Sequence, residues 1–446
     1  MSGVLSESTP VRRTDVKASV TQGSGHSAVI ARRAAMASAT GTAVEYYEFS
    51  IYGYMATIIA PLFFPGDNPA AALLATLAVF GIAFVIRPIG GVLLGRLADR
   101  IGRRRVLLST VIGMGTATAL IGVLPTTAQI GLAAPVLLVL LRLSQGFFAG
   151  GEVVGAAAFV AESSPNGRRG FFGAFTPLGV AVGGALGAIV CGITTGLLSA
   201  EQLQAWGWRI PFIIGCVMIP FLFVIRRHME ETEVFLKRKE HPPLSQIMRT
   251  IGGNWGVVLQ GALMAVMTTV FFYMITAYTP TFGNKVLSLT PGAALFVTAC
   301  VGVTNFVLLP VMGALSDRIG RKPLLITATL LGALLAYPLM GWLVAAPSFG
   351  RLLTVELLLA AIYATYNGAF IVYLTEAIPA HVRTVGFSLA YSLATAIFGG
   401  FTPAISTALI GATGDKAIPG AWCAAAALLS LLALLIGSRL SRRTAP

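Results

Sequence analysis

Glu45 and Glu48 stand three residues apart in an apolar run, 36–62, that holds no other charge. With Ser38, Gly41 and Tyr52 they recur at three- and four-residue steps, so a helix there carries one polar stripe. Two carboxylates in low dielectric repel, which favours a bound proton on at least one of them. That is the chemistry of a proton carrier. The competing reading pairs both acids structurally with Arg87 or Arg142. Arg142 opens the sequence R-L-S-Q-G near the middle of another apolar run and has no acid three or four residues on. A guanidinium presents a planar donor fork that suits a carboxylate. Arg142 is therefore a candidate substrate contact, with cross-helix pairing as the alternative. Arg87 precedes Pro88, where a structural or gating pair is expected, and Glu152 follows Gly150–Gly151 as either a gate or part of a proton path. Tyr273, Tyr366 and Asn367 put polar tips into later apolar runs and complete the candidate substrate contacts; Glu356 lies near one end of its run. His26, His228, His241 and His381 fall in tails or loops, so no histidine serves as a buried proton relay.

An ionisable side chain at the centre of a bilayer costs roughly 2.5–3.5 kcal/mol, so each of these groups needs a cavity or a partner. The elements that must position them are membrane helices. Hydrophobic residues make up 56% of the 446, and charged residues only 11%, far below a soluble composition. The apolar runs predict spans at 36–62, 70–95, 106–125, 133–161, 171–198, 210–226, 255–282, 291–315, 323–345, 351–376, 384–411 and 420–438. The fold class is all-α integral membrane, with twelve transmembrane helices.

The net charge of +14 belongs to topology and excludes a nucleic-acid stripe. Lys and Arg gather in every second loop: Arg96, Arg100, Arg103, Arg104 and Arg105, then Arg168 and Arg169, then Arg318, Arg321 and Lys322, then Arg383. The alternation places both termini in the cytoplasm.

Two of those loops are copies. Gly95–Arg105 reads G-R-L-A-D-R-I-G-R-R-R and Gly313–Lys322 reads G-A-L-S-D-R-I-G-R-K, with Asp99 and Asp317 218 positions apart. A second pair follows in the same order, Glu162/Pro165/Arg169 and Glu376/Pro379/Arg383. The chain is an internal duplication. It divides into a disordered cytoplasmic tail, 1–31, a first half, 32–226, a cytoplasmic linker, 227–254, a second half, 255–438, and a short tail, 439–446. The linker, acidic at its start and basic at its end, suits a short helix on the inner membrane surface, with a regulatory site as the alternative. Gly179, Gly183 and Gly187, and the matching Ser388, Ser392, Ala396 and Gly400, form small-residue ladders for close helix packing, dimerisation being the other use. The four cysteines lie in apolar runs without metal-ligand spacing and read as packing residues. No catalytic set and no phosphate loop is present, so the chain reads as no enzyme, with no cofactor and no metal. Uphill transport would draw on an ion gradient.

Asp99/Arg100/Gly102/Arg103 and Asp317/Arg318/Gly320/Arg321 resemble the inner-loop motif of the major facilitator superfamily. Glu45-Tyr-Tyr-Glu48-Phe, Arg87-Pro88-Ile-Gly, Arg142-Leu-Ser-Gln145-Gly and the W-G-W-R-I-P-F of 206–212 resemble its metabolite–proton symporters. The second half is most similar to citrate and tricarballylate proton symporters, in Y-T-P-T-F-G-N-K-V-L (278–287), Y-N-G-A (366–369) and the run from Gly386 to Thr407. The first half departs from that branch after Gly151 and after Gly173. The resemblance implies two six-helix bundles with inverted repeats, rocking about a midplane cavity. The Asp99 and Asp317 loops, with Arg87, Glu162, Arg169, Glu376 and Arg383, would act in gating. It implies a bacterial inner-membrane carrier of a small organic acid and protons, in contact with lipid and expected to be a monomer.

Three function classes compete: a proton-coupled carboxylate importer, a proton symporter for a zwitterion such as proline or betaine, and a transporter-like receptor. Arg142 together with intramembrane acids favours the anion, and the absence of a sizeable signalling domain disfavours the receptor. The alternation of charge predicts that reporter fusions at Asn68 and at Arg238 report opposite sides of the membrane. Fusions reporting the same side would contradict the duplicated topology.

Overall fold

A computed structural model of the protein describes residues 38–150, 167–227, 255–378 and 383–443, with isolated positions at 32, 35, 36, 160, 164, 249, 252 and 253. The expected tail at 1–31 and nearly all of the expected linker lie outside the described residues. The described residues are mostly helical, joined by short loops, with no strand among them.

Helix α1 runs over 38–54 and, after a turn at Met55, over Ala56–Phe63. Helix α2 is Pro69–Val85 continued by Arg87–Ile101, α3 is Arg103–Val123 and α4 is Ala133–Ala149. Helix α5 is Arg169–Gly173 continued by Phe175–Leu197, and α6 is Ile210–Arg227. Helix α7 spans Trp255–Val286, α8 Pro291–Ile319, α9 Arg321–Ala345 and α10 Phe349–Ala377. Helix α11 starts at Arg383 and ends at Thr413, and α12 is Ile418–Arg443. Eight of these are long and apolar enough to cross a membrane: α2, α5 and α7 to α12. Leu108–Val123, Ala133–Ala149 and Gly207–Pro220 are shorter apolar helices, and α1 is interrupted at Met55. Large apolar side chains such as Leu132, Val136, Val303, Phe306 and Leu334 cover the outer surface, as a hydrocarbon solvent requires.

Local sequence sets the helix ends. Asn68 caps α2 ahead of Pro69, Thr290 caps α8 ahead of Pro291, and Ser348 caps α10. The duplicated loops turn on one residue each. Gly102 has φ 102° and Gly320 has φ 91°, a region that side chains with a Cβ rarely adopt. This is the physical meaning of the glycine in both D-R-I-G-R copies: it lets one long helix stop and the next start at once.

The two halves meet along two seams, α5 against α8 and α2 against α11. Glycines bring the backbones together. A Cβ on Gly170 would strike the Gly313 carbonyl, and one on Gly302 would strike Ala185. On the other seam, Gly81 faces Phe401 and Gly400 faces Phe84. The small-residue ladders pack within the chain, but differently. Gly179 and Gly183 lie against Ala39 and Ala43 of α1, inside the first half. Ser388 and Gly400 instead face Gly91 and Phe84 of α2, across the seam.

Candidate functional site

The sharpest feature of the first half is a buried ion pair. Pro88 has no amide to continue the α2 ladder, and the helix restarts at Arg87 after Ile86. The restart aims Arg87 across to α1, where its Nη2 lies 3.0 Å from Glu45 Oε1. Both are buried. The guanidinium also rides over the Phe49 ring at 4.3 Å and the Phe84 ring at 4.6 Å. The pairing expected for Arg87 is present, and it takes Glu45.

Glu48, one helical turn on, takes a different partner. Thr118 of α3 donates its hydroxyl to Glu48 Oε2 at 2.8 Å. Gln145 of α4 donates its amide to Thr118 Oγ1 at 2.8 Å, and Arg142 donates to Gln145 Oε1 at 2.8 Å. Four residues on three helices thus form one chain of hydrogen bonds from cation to acid. Thr118, Gln145 and Arg142 are all fully buried. Arg142 is also boxed by rings, with Tyr52 at 4.3 Å, Phe49 at 5.1 Å and Phe80 at 5.4 Å. Among the described residues its Nε makes no hydrogen bond and no carboxylate pairs with it. So, among the described residues, one buried arginine has its acid and the other does not.

Neither Gln145 nor Thr118 stands out as functional in the sequence. Gln145 sits three residues after Arg142, on the same helix face, which is a usable signal. Thr118 lies in a different apolar run and carries no local signal at all.

Between the halves the side chains close on an aromatic layer. Phe84 and Tyr273 meet at 5.1 Å, Phe80 and Tyr273 at 5.8 Å, and Tyr46 and Phe272 at 5.7 Å. Beside this layer lies a cavity of about 20 Å³, lined by Thr176, Pro177, Phe272, Tyr363, Asn367 and Tyr391 among others. That volume holds about one water molecule, not a carboxylic acid. Asn367 is on its wall and donates to the Tyr363 hydroxyl at 2.7 Å. Tyr366 is not. Its hydroxyl donates to the Met264 carbonyl at 2.7 Å and its ring stacks on Phe370, so here it braces α10 against α7. Tyr273 presents its ring to Phe80 and Phe84 of the opposite half.

Contacts join the two halves on both sides of this layer. On the face bearing the duplicated loops, Asp317 Oδ1 and Oδ2 accept the backbone N–H groups of Gly170 and Phe171 at 2.9 and 3.0 Å. Arg321 holds the same carboxylate at 2.8 Å and approaches Glu376 at 3.7 Å. Arg169 is half-buried beside this contact, while Arg100 and Arg318 are exposed. Towards the other end, Ala404 of α11 packs with Ala56, Ala60, Ala72, Leu73 and Leu77 of α1 and α2. Glu152 and Glu162 lie outside the described residues, as do the side chains of Asp99, Arg103 and Arg383. Glu356 is fully buried in α10 and faces Thr279 of α7.

Comparison with known proteins places this geometry in context. Residues 39–403 match the family described as Major Facilitator Superfamily. The chain is similar to a citrate-proton symporter of Salmonella typhi, 47% identical over 404 residues, 90% of this chain and 93% of the relative. It is also similar to a proline/betaine transporter of Salmonella typhimurium, 31% identical over 412 residues, 90% of this chain and 82% of the relative. Among solved structures it resembles a D-xylose-proton symporter, with TM-score 0.73 and 20% identity, over 90% of this chain and 96% of that one.

The Arg87–Glu45 pair predicts a thermal test. Breaking a buried pair strands a charge, at a cost of about 3–5 kcal/mol. Glu45→Gln and Arg87→Gln should each lower the melting temperature of the detergent-purified protein, and the double variant should recover much of the loss. Additive losses would show that the two groups are not coupled.

Proposed function

Because the chain belongs to the major facilitator superfamily, we propose that it imports a tricarboxylate, citrate in the first place, together with protons. The observation that carries the reading is Arg142: a fully buried guanidinium with no acid of its own among the described residues. Held in low dielectric, such a cation favours a carboxylate from the substrate. The similarity to citrate-proton symporters gives the substrate class, and the more distant proline/betaine relatives place a zwitterion second.

The proposed architecture is twelve spans in two bundles, 32–226 and 255–438, each an inverted repeat. Both termini face the cytoplasm of a bacterial inner membrane, and a monomer is the working unit. Alternating access follows from the two seams. Releasing the Asp317 contact with Gly170 and Phe171 opens one face, and parting Ala404 from α1 and α2 opens the other. Asn367 would meet the substrate from the second half. Tyr273 would do so once the aromatic layer parts. Tyr366 needs a change of hydrogen bond to join them.

Protons supply the drive. A carboxylate entering a cell with a negative interior is opposed by roughly 2.3 kcal/mol per uncompensated charge per 100 mV. Entering protons offset that charge. Of the two acids in α1, Glu45 is tied to Arg87, whereas Glu48 bonds to a hydroxyl that accommodates either protonation state. Glu48 is therefore the proton carrier, with Glu45 and Glu152 behind it.

Proteoliposomes with an acidic exterior test this reading. Wild type should accumulate radiolabelled citrate above the outside concentration. Glu48→Gln, a fixed mimic of the protonated acid, should abolish accumulation yet keep part of the exchange between two citrate-filled compartments. Accumulation by Glu48→Gln would move the proton to another acid, and failure of wild type to take up citrate would end the citrate reading.

A further inference from the structure

The hydrogen-bond chain from Arg142 to Glu48 has a fixed polarity. A guanidinium has donors only, so the Gln145 amide must turn its oxygen to Arg142. Its nitrogen must then face Thr118, which accepts. One lone pair of Thr118 is thus taken by Gln145. Its single hydroxyl hydrogen has two acceptors in reach, Glu48 Oε2 at 2.8 Å and the Met114 carbonyl at 3.1 Å. With Glu48 ionised, the hydrogen points to the carboxylate. With Glu48 protonated, the acid can donate to the remaining lone pair of Thr118, and the hydroxyl turns to Met114. One rotation about a C–O bond separates the two states, and no side chain has to move.

We propose that Gln145 and Thr118 are the positioning residues that link substrate binding at Arg142 to proton binding at Glu48. The proposal rests on the roles given above to Arg142 and Glu48. Its sign follows from electrostatics. A free Arg142 polarises the chain toward Glu48 and favours the ionised acid. A substrate carboxylate on Arg142 neutralises that charge and draws its donors away from Gln145. The amide then ceases to brace Thr118 as a donor, and Glu48 gains affinity for a proton. Linkage is reciprocal, so protonation of Glu48 strengthens substrate binding by the same factor. Substrate and proton then favour each other's binding, which is what symport requires.

Two neutral groups among the described residues lie beside Glu48. Tyr47, on the same helix, donates to the Pro211 carbonyl at 2.9 Å. Cys216 of α6, which faces Glu48, gives its thiol to the Phe212 carbonyl at 3.2 Å. Arg87 is paired with Glu45. From α3 the facing group is Thr118 itself, and from α4 the charge reaches Glu48 through Gln145.

The test is the pH dependence of citrate affinity in purified full-length protein. Citrate's own ionisation is common to every variant, so the comparison between variants isolates the protein's contribution. For wild type, Kd should tighten about tenfold beyond that shared change between alkaline and acidic pH, within the usual range of coupling between sites. Thr118→Val, close in volume but without the hydroxyl, should reduce this to less than about twofold, and Thr118→Ser should restore it. Gln145→Met should show the same loss through the other link, with its melting temperature reported alongside. A wild-type pH profile in Thr118→Val would overturn the linkage while leaving citrate transport standing. A wild type that binds no citrate would instead remove the functional reading beneath it.

Discussion

The Arg142 guanidinium is fully buried, and no carboxylate among the described residues balances it. In a low-dielectric interior a lone cation is costly, and it is tolerated where a partner arrives as part of the function. Arg87 shows the alternative solution in the same half. It has Glu45 at 3.0 Å and two rings beneath it, and it can stay as it is. Arg142 is held by an amide and by Tyr52, Phe49 and Phe80, partners that support a cation without neutralising it. The difference between these two arginines is the basis for proposing a structural role for one and a binding role for the other.

On the proposed reading, Arg142 must be exposed to one side at a time. The seams supply that condition. Glycines at 170, 302, 313 and 400 let helices of opposite halves touch with little side chain between them. Such contacts are short-range and close over a small movement. The Asp317 contact adds direction, because its carboxylate holds two backbone N–H groups of the other half and is itself held by Arg321. The space left beside Asn367 is about 20 Å³. The side chains around that space pack against one another across the two halves.

Much of this was legible in the sequence. Apolar run lengths give the helices, and the repeated D-R-I-G-R marks two turns that need positive φ at Gly102 and Gly320. A buried charge demands a partner, so Arg87 with Glu45 could be anticipated as one of a few pairings. What escaped was every contact between distant helices that lacks a charge. Thr118 is one polar residue among many in a membrane helix, and its role depends on Glu48 and Gln145 meeting it from two other helices. Tyr366 shows the converse: a mid-span phenol reads as a cavity group, and here its hydroxyl donates to a backbone carbonyl of α7. The two small-residue ladders look equivalent along the chain, but one packs within its half and the other across the seam, because tertiary placement decides which helix each face meets.

What Arg142 holds decides between a binding and a structural guanidinium. Citrate binding measured by calorimetry on wild type and Arg142→Lys tests it, since lysine keeps the charge but loses the planar two-point fork. The prediction is a loss of affinity of about 100-fold or more, roughly 2.7 kcal/mol, in a variant that melts near the wild-type temperature. Unchanged citrate affinity in Arg142→Lys would contradict the central claim and leave the buried guanidinium as a structural group.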